Sequence, residues 1–155
     1  MNKTVNDSKM EQVYVIRSQH INSYDRLFGG FLMQWIDEVA GVVSRRHSGH
    51  AVTTAAVDNL SFKAAAYKND MVVLVGKMTY VGKTSMEIRV DAYVEDYDGA
   101  RRNINRAYVV MVAIDEKGNP IPVPGLELQN EEERQEWEAG QKRYELRRER
   151  RVQGY

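Results

Sequence analysis

One long apolar stretch, with a polar turn before it and a glycine pair at its start, most constrains how this chain can fold. The stretch runs from Asn22 through Gly29-Gly30 to Gly41, and its apolar residues recur at spacings of three and four positions. This periodicity predicts a helix from Gly30 to about His47. The Ser48-Gly49 pair that follows predicts where the helix ends.

The rest of the chain reads mainly as strands, because short β-branched or alternating runs are separated by turn residues. The predicted strands cover residues 12–17, 52–62, 71–81, 85–95 and 104–114. Alternation in 85–95 is typical of an antiparallel strand with one face in water, and Gly82-Lys83 suits a hairpin turn before it. We expect the polar residues 1–9 to be disordered. A charged helix over 130–151 is acidic at its start and basic at its end, as the helix dipole favours.

A single apolar helix among several strands is covered most economically by an antiparallel sheet that wraps around it. We therefore predict the α+β class and the hotdog fold, as a single domain over residues 1–155. Because the terminal helix has few apolar residues, we expect Trp137 and Tyr144 to make its contacts, while Arg147 to Arg151 stay solvated. The alternative is that this basic end binds a phosphate. One helix in one sheet also leaves a sheet edge and a helix flank uncovered, which predicts self-association.

The composition excludes several kinds of chemistry. The 22 basic and 22 acidic residues cancel, so we expect neither nucleic acid nor a membrane as a partner. The absence of cysteine excludes disulfides, thiolate metal sites and a cysteine nucleophile. The three histidines are scattered, and we expect no metal site. The N-terminus lacks the apolar core of a signal peptide and no run approaches the ~20 residues of a membrane span, so we expect a cytoplasmic protein.

Three features of the long helix could carry chemistry. Asp37 falls among small and apolar residues on the helical wheel, where a carboxylate needs either a partner or a task. Three interpretations are open for it: catalysis, an interface salt bridge, or a plain surface acid if the helix face is misjudged. At Gly29-Gly30 the first helical amides favour negative charge and could hold an oxyanion, although tight packing of a loop would also explain the pair. Asn22 could cap a turn or orient a water or a carbonyl.

These residues together resemble a known family. The pattern Asn22-x-x-x-x-Leu27-Phe28-Gly29-Gly30-x-x-Met33-x-x-x-Asp37-Glu38-Val39-Ala40-Gly41 is similar to the motif of the hotdog-fold acyl-CoA thioesterases. The resemblance continues through Arg45-Arg46-His47, the segment from Val52 to Phe62 and Gly82-Lys83-Thr84-Ser85. It covers nearly all of residues 12–150, and it extends to bacterial acyl-CoA hydrolases and to the second domain of brain-type cytosolic ones.

The resemblance implies hydrolysis of acyl-CoA to a fatty acid and CoA, within lipid metabolism and with no cofactor besides the CoA of substrate and product. It implies that Asn22 of one subunit acts with Asp37 of another, in a homohexameric trimer of dimers. Asp37 would be the base or the nucleophile, and the amides at Gly29 and Gly30 the oxyanion site. The residues that we expect to bind CoA are Arg45, Phe62, Lys63, Lys83, Thr84 and Ser85. The chain departs from the family at Asp25, where the family usually has glycine.

Two other functions stay open from the sequence. A hotdog dehydratase or hydratase would pair a histidine with the acid, and His47 lies at the far end of the helix from the glycine pair. A non-catalytic acyl-CoA-binding regulator would normally carry a DNA-binding module, and this chain has no spare basic domain.

Overall fold

The computed structural model describes all 155 residues, and its helices and strands follow the predicted order. In chain order they are β1 (Lys3–Thr4), β2 (Met10–Val15), a 3₁₀ turn (Ser18–His20), α1 (Gly29–Ser48), β3 (Ala51–Phe62), β4 (Met71–Val81), β5 (Ser85–Glu95), β6 (Arg101–Ile114), β7 (Leu126–Glu127) and α2 (Glu131–Gln153). Five strands form an antiparallel sheet in the order β2-β4-β5-β6-β3, so β2 and β3 are its edges.

The sheet wraps around α1, which contacts all five of its strands. The buried face of the helix includes Leu32, Trp35, Ile36, Val39, Ala40 and Val43. Gly76 of β4 lies under the helix, where an added Cβ would stand 2.6 Å from Val39 Cγ1, so glycine lets helix and sheet approach closely. The helix ends at Gly49, which has a φ of 74° and donates its amide to the Arg45 carbonyl at 2.9 Å. This is the predicted α+β hotdog arrangement.

Helix α2 covers the outer face of the sheet, opposite α1. The ring of Tyr80 packs against Trp137 and Tyr144, with centroids 4.4 and 5.5 Å apart. At Gly140 an added Cβ would lie 2.7 Å from Tyr80 Cβ, so the backbone of α2 rests directly on β4. The structure therefore places both predicted anchors of the helix, Trp137 and Tyr144, against the sheet.

The prediction that one face of strand 85–95 lies in water is wrong. Helix α2 covers the outer face of β5, where Glu87 is 1% exposed and Asp91 is 4% exposed. Glu87 accepts hydrogen bonds from Thr79 at 2.6 Å, from Arg143 at 2.8 and 3.0 Å and from Arg147 at 3.2 Å. The expectation that Arg147 is solvated is also wrong, because this side chain is 9% exposed and also contacts Asp58 at 3.1 Å. Buried carboxylates need such partners. Helix α2 supplies them for Glu87, whereas Arg89 and Arg106 of the sheet supply them for Asp91.

The N-terminal residues also differ from the expectation of disorder. Strand β1 pairs in parallel with β7, and Val5 and Ser8 are buried. Lys3 donates through Nζ to the Arg46 carbonyl at 2.8 Å, which attaches the segment to the end of α1. Neither helix combines the length and the hydropathy that crossing a bilayer requires.

Candidate active site

The start of α1 presents two backbone amides that no other group in the chain uses. The helix begins at Gly29 after Phe28, and no side chain caps it. The Phe31 and Leu32 amides both donate to the Phe28 carbonyl, whereas the amides of Gly29 and Gly30 find no acceptor. Free amides at a helix N-terminus attract an anion or a developing oxyanion, because the helix dipole adds to their partial charge.

Two aromatic rings flank these amides. An added Cβ on Gly30 would lie 2.5 Å from the Phe28 ring, and one on Gly29 would lie 3.3 Å from Phe62 Cζ. Both rings are about half exposed. Any side chain at the two glycine positions would close this slot, so glycine keeps the backbone open to a ligand.

Asn22 forms the turn that leads into the helix. Its Oδ1 accepts hydrogen bonds from the Tyr24 amide at 2.9 Å and the Arg26 amide at 3.2 Å. Asp25 lies in this turn with a φ of 60°, in the left-handed region that aspartate tolerates better than most residues. The turn thus forms without the glycine that the resemblance leads one to expect. Asn22 does cap a turn, and its Nδ2 is still free to donate.

A cavity of about 330 Å³ opens beside Asn22. Phe62 and Lys63 line it together with Arg26, and its apolar wall includes Leu32 and Ile104. The structure thus brings the predicted residues Asn22, Phe62 and Lys63 to one cavity, with Phe62 also in contact with the start of α1.

Asp37 lies in an exposed position and is held by a residue that sequence reasoning missed. Thr54 of β3 donates through Oγ1 to Asp37 Oδ1 at 2.5 Å. In the sequence, Thr54 is only one hydroxyl residue on the strand that follows the helix. This pattern is too common to mark Thr54 as a site residue. The hydrogen bond orients the carboxylate and leaves its second oxygen, Oδ2, without a donor in the chain.

Asp37 cannot reach the free amides of its own helix. It lies eight residues after Gly29, which is about 12 Å along the helix axis. The exposed flank of α1 on which it lies borders a wide groove of about 730 Å³ against the start of β3. The predicted residue Arg45 lines this groove, away from Asn22. The expected site is therefore split within one chain. The free amides and Asn22 lie at the start of α1, and Asp37 with Thr54 lies about two turns further along the helix.

The remaining predicted residues lie on another side of the molecule. Thr84 and Ser85 line a cavity of about 500 Å³ on the outer face of the sheet, next to the basic end of α2. Lys83 is exposed in the turn between β4 and β5. Within one chain, the six residues predicted for CoA binding therefore do not form a single site. No group of three or more His, Cys, Asp or Glu side chains is placed to hold a metal ion.

Comparison with known proteins identifies the family. Residues 24–99 match the thioesterase superfamily. The chain is 33% identical over 128 residues to an acyl-CoA thioester hydrolase of Bacillus subtilis, covering 82% of this chain and 74% of that protein. The chain belongs to the thioesterase superfamily. It is also 33% identical over 144 residues to the rat cytosolic acyl coenzyme A thioester hydrolase, covering 91% of this chain but spanning only 38% of that longer protein.

Solved structures of thioesterases superimpose closely on this chain. The acyl-CoA hydrolase of Staphylococcus aureus, solved with butyryl-CoA and CoA, gives a TM-score of 0.93 at 29% identity and covers 99% of this chain and 94% of its own. A hexameric acyl-CoA thioesterase gives a TM-score of 0.91 at 35% identity, with 96% of each chain covered.

Proposed function

We propose that this member of the thioesterase superfamily hydrolyses acyl-CoA thioesters to a carboxylic acid and CoA. The observation that carries the proposal is the pair of unused amides at Gly29 and Gly30, which open a helix that also carries an exposed, hydrogen-bonded carboxylate at Asp37. The names of the matched hydrolases support the same substrate class.

The two halves of the site meet if the chain pairs with a second copy through the free edge of β3. Within one chain, Thr54 binds Asp37 and Phe62 lies on Gly29. In an antiparallel pair of β3 strands centred near Asp58, Thr54 lies opposite the partner subunit's Phe62, because Asp58 is midway between those positions. Asp37 then approaches the partner subunit's Gly29. A two-fold axis repeats this arrangement, so a dimer contains two composite sites.

In such a site the thioester carbonyl oxygen would lie against the amides of Gly29 and Gly30, which stabilise the oxyanion as charge develops. Asp37 of the other subunit takes a proton from water while the water oxygen attacks the carbonyl carbon. When the tetrahedral adduct collapses, the C–S bond breaks and CoA leaves as a thiolate, which needs little help because a thiol has a pKa of about 8.5. Attack by the carboxylate itself uses the same geometry: collapse of that adduct expels the CoA thiolate and leaves a mixed anhydride, which water then hydrolyses to the free acid and the Asp37 carboxylate. Asn22 has its Nδ2 free to orient the water or the carbonyl.

The choice of Asn22, Asp37 and Thr54 has independent support. Structures of the Staphylococcus aureus hydrolase include alanine variants at an asparagine, an aspartate and a threonine. Those three positions are separated by 15 and 17 residues, the same spacing that separates Asn22, Asp37 and Thr54 here.

The finer features of the expected enzyme belong to the same proposal. Phe62 and Lys63 lie beside Asn22 and would contact the substrate near the thioester. Arg45 would contact the substrate from the groove along α1. A relative of known structure is hexameric, and we propose a trimer of dimers here as well. No cofactor is required by the chemistry described above. A cytoplasmic location stays a prediction from the sequence.

Subunit complementation tests the composite site. Asn22→Ala and Asp37→Asn chains should each release almost no thiol from acyl-CoA. Once mixed, each heterodimer has one intact and one doubly damaged site, so random mixing should recover roughly a quarter of wild-type activity. Mixing Asp37→Asn with Asp37→Ala chains is the matched control and should recover none. If verified heterodimers of the first pair stay inactive, Asn22 and Asp37 act from the same subunit, and an inactive wild-type chain would refute the function itself.

A further inference from the structure

We propose that Asn105 is a positioning residue for the thioester site, because it holds the end of β3 where the Phe62 ring lies against the start of α1. This inference rests on the proposed function and deepens it. Asn105 lies on β6 and is fully buried. Its Nδ2 donates to the Ser61 carbonyl at 2.7 Å, one residue before Phe62. Asn105 lines none of the cavities around the site, so it would act on the reaction through Phe62.

Only one half of the Asn105 amide has a partner. Its Oδ1 is buried, and no donor of the chain reaches it. A buried oxygen without a donor destabilises the fold, and an apolar side chain of similar size would avoid this loss. The single use that the chain makes of this side chain is the hydrogen bond to Ser61. An asparagine kept at such a disadvantage needs an explanation beyond packing.

The sheet is irregular on both sides of this hydrogen bond. Between Asp58 and Ser61, β3 has one residue more than the stretch of β6 that it pairs with, and Asn59 has a φ of 59°. Strand β6 has an extra residue of its own, Ile104, in its pairing with β5. Bulges interrupt the ladder and re-aim side chains, and they are common next to active sites. The hydrogen bond of Asn105 supplies a fixed point between the two bulges.

The residues next to this fixed point form the walls of the site. The Phe62 Cζ atom lies 3.3 Å from the position of an added Cβ on Gly29, so the ring borders one of the free amides. Ile104 lines the cavity beside the start of α1. Small shifts matter there, because a misplacement of about 1 Å can cost on the order of 100-fold in rate. Releasing the Ser61 carbonyl would allow the Phe62 ring to shift relative to the Gly29 amide.

Asn103 offers a matched control on the same strand. Its Oδ1 is also buried without a donor from the chain. Its Nδ2 donates to the Ala92 and Asn105 carbonyls at 3.3 and 3.2 Å, and it makes no hydrogen bond to β3. Losing the Asn103 side chain should therefore weaken the same part of the sheet without releasing Phe62.

The kinetic test separates position from stability. Asn105→Ala should lower kcat for acyl-CoA about tenfold or more and change KM less than about threefold. Asn103→Ala should leave kcat within about twofold of the wild type. Both variants should lower Tm, because each removes a largely buried hydrogen bond. Should Asn105→Ala fail to fold, Asn105→Leu replaces it, since leucine has a similar size and lacks the donor.

A double-variant cycle identifies the residue through which Asn105 acts. In a chain that already carries Phe62→Leu, Asn105→Ala should still lower Tm, but it should change kcat less than about twofold because the ring is gone. An Asn105 that only stabilises the sheet would reduce kcat equally in both backgrounds, or in neither.

Fluorine NMR observes the ring without substrate. The chain has three phenylalanines, Phe28, Phe31 and Phe62, so labelling with 4-fluorophenylalanine gives three resonances, and Phe62→Leu identifies one of them. Asn105→Ala should shift the Phe62 resonance, and Asn103→Ala should leave it in place.

Four results would each overturn the proposal: an unchanged kcat in Asn105→Ala, an equal kcat loss in Asn103→Ala, an equal kcat loss from Asn105→Ala in the Phe62→Leu background, or an unmoved Phe62 resonance. A shifted Phe62 resonance in a chain that releases no thiol from acyl-CoA would instead refute the proposed function. In that case the placement of Phe62 by Asn105 would still hold.

Discussion

Replacing Glu87 with glutamine should destabilise the fold more than removing any exposed charge of the outer face. The Glu87 carboxylate is 1% exposed and lies between Arg143 and Arg147, whose side chains are 19% and 9% exposed. Glutamine keeps the shape but removes the negative charge, and its NH₂ group turns a donor towards a cation. Two partly buried guanidinium groups then lose their main partner.

The expected loss can be estimated from this geometry. Breaking a buried ion pair by removing one partner costs about 3–5 kcal/mol, because the remaining charge stays desolvated. Glutamine still accepts one hydrogen bond, from Thr79 or from an arginine, so the lower end of about 3 kcal/mol applies. For a domain of this size each kcal/mol shifts Tm by about 2–4 °C. The Glu87→Gln variant should therefore unfold about 6–12 °C below the wild type.

Thermal unfolding followed by circular dichroism measures the shift, at one fixed protomer concentration because an oligomer's Tm depends on it. Lys77→Gln is the matched control. It breaks an ion pair between the same helix and sheet, but this pair is 3.5 Å long and its Glu132 is 77% exposed, so the loss should stay below about 1 kcal/mol. Tm values within about 2 °C of each other for the two variants would refute the argument that burial gives the Glu87 cluster its importance.

Three further predictions concern the candidate site and the C-terminal end of α1. Asp37→Asn should fold normally and lose on the order of 10²–10⁴-fold in thiol release, and near-wild-type release would exclude Asp37 as base or nucleophile. Asp25→Gly should keep both activity and Tm, whereas Asp25→Val should lower both, because a β-branched residue is strained at a φ of 60°; equal behaviour of the two variants would show that the turn adapts. Burial lowers the pKa of His47 from its usual value of 6.5, so the unfolded chain binds the proton more readily and stability falls as pH drops below about 6.5. Chemical denaturation should show a smaller decline for His47→Gln, and parallel curves would refute that assignment.

The sequence predicted the elements whose periodicity is strong and whose ends carry turn residues. The bounds of β4 and β5 agree with the predicted 71–81 and 85–95, and α1 extends the predicted helix by one residue at each end. Strand β6 begins at Arg101, earlier than predicted, because backbone pairing with β5 continues through polar residues that carry no hydrophobic signal. Alternation likewise could not distinguish a strand face in water from one covered by a charged helix, which is why the burial of Glu87 and Asp91 was missed.

The candidate site shows a second limit of a single sequence. The motif makes Asn22 and Asp37 candidates, but it contains no information on which groups of a folded chain lie within reach of one another. Thr54 enters only through tertiary contact, and the burial of Arg147 against Glu87 likewise appears only in the folded chain. A charge run has the same sequence whether its members are paired or free.

The separation of Gly29 and Asp37 along one helix connects the assembly to the chemistry. About 12 Å of helix axis lies between the free amides and the carboxylate, and a rigid helix cannot shorten it. In the proposed dimer, the two-fold axis that would cover the free edge of β3 would also bring the carboxylate to the amides of the other subunit. The hydrogen bond between Asp37 and Thr54 lies within one chain. Dissociation of the dimer would therefore leave the fold and this contact intact in each subunit, but no complete catalytic site. Activity should therefore fall with dilution below the dimer dissociation constant while the fold within each subunit persists.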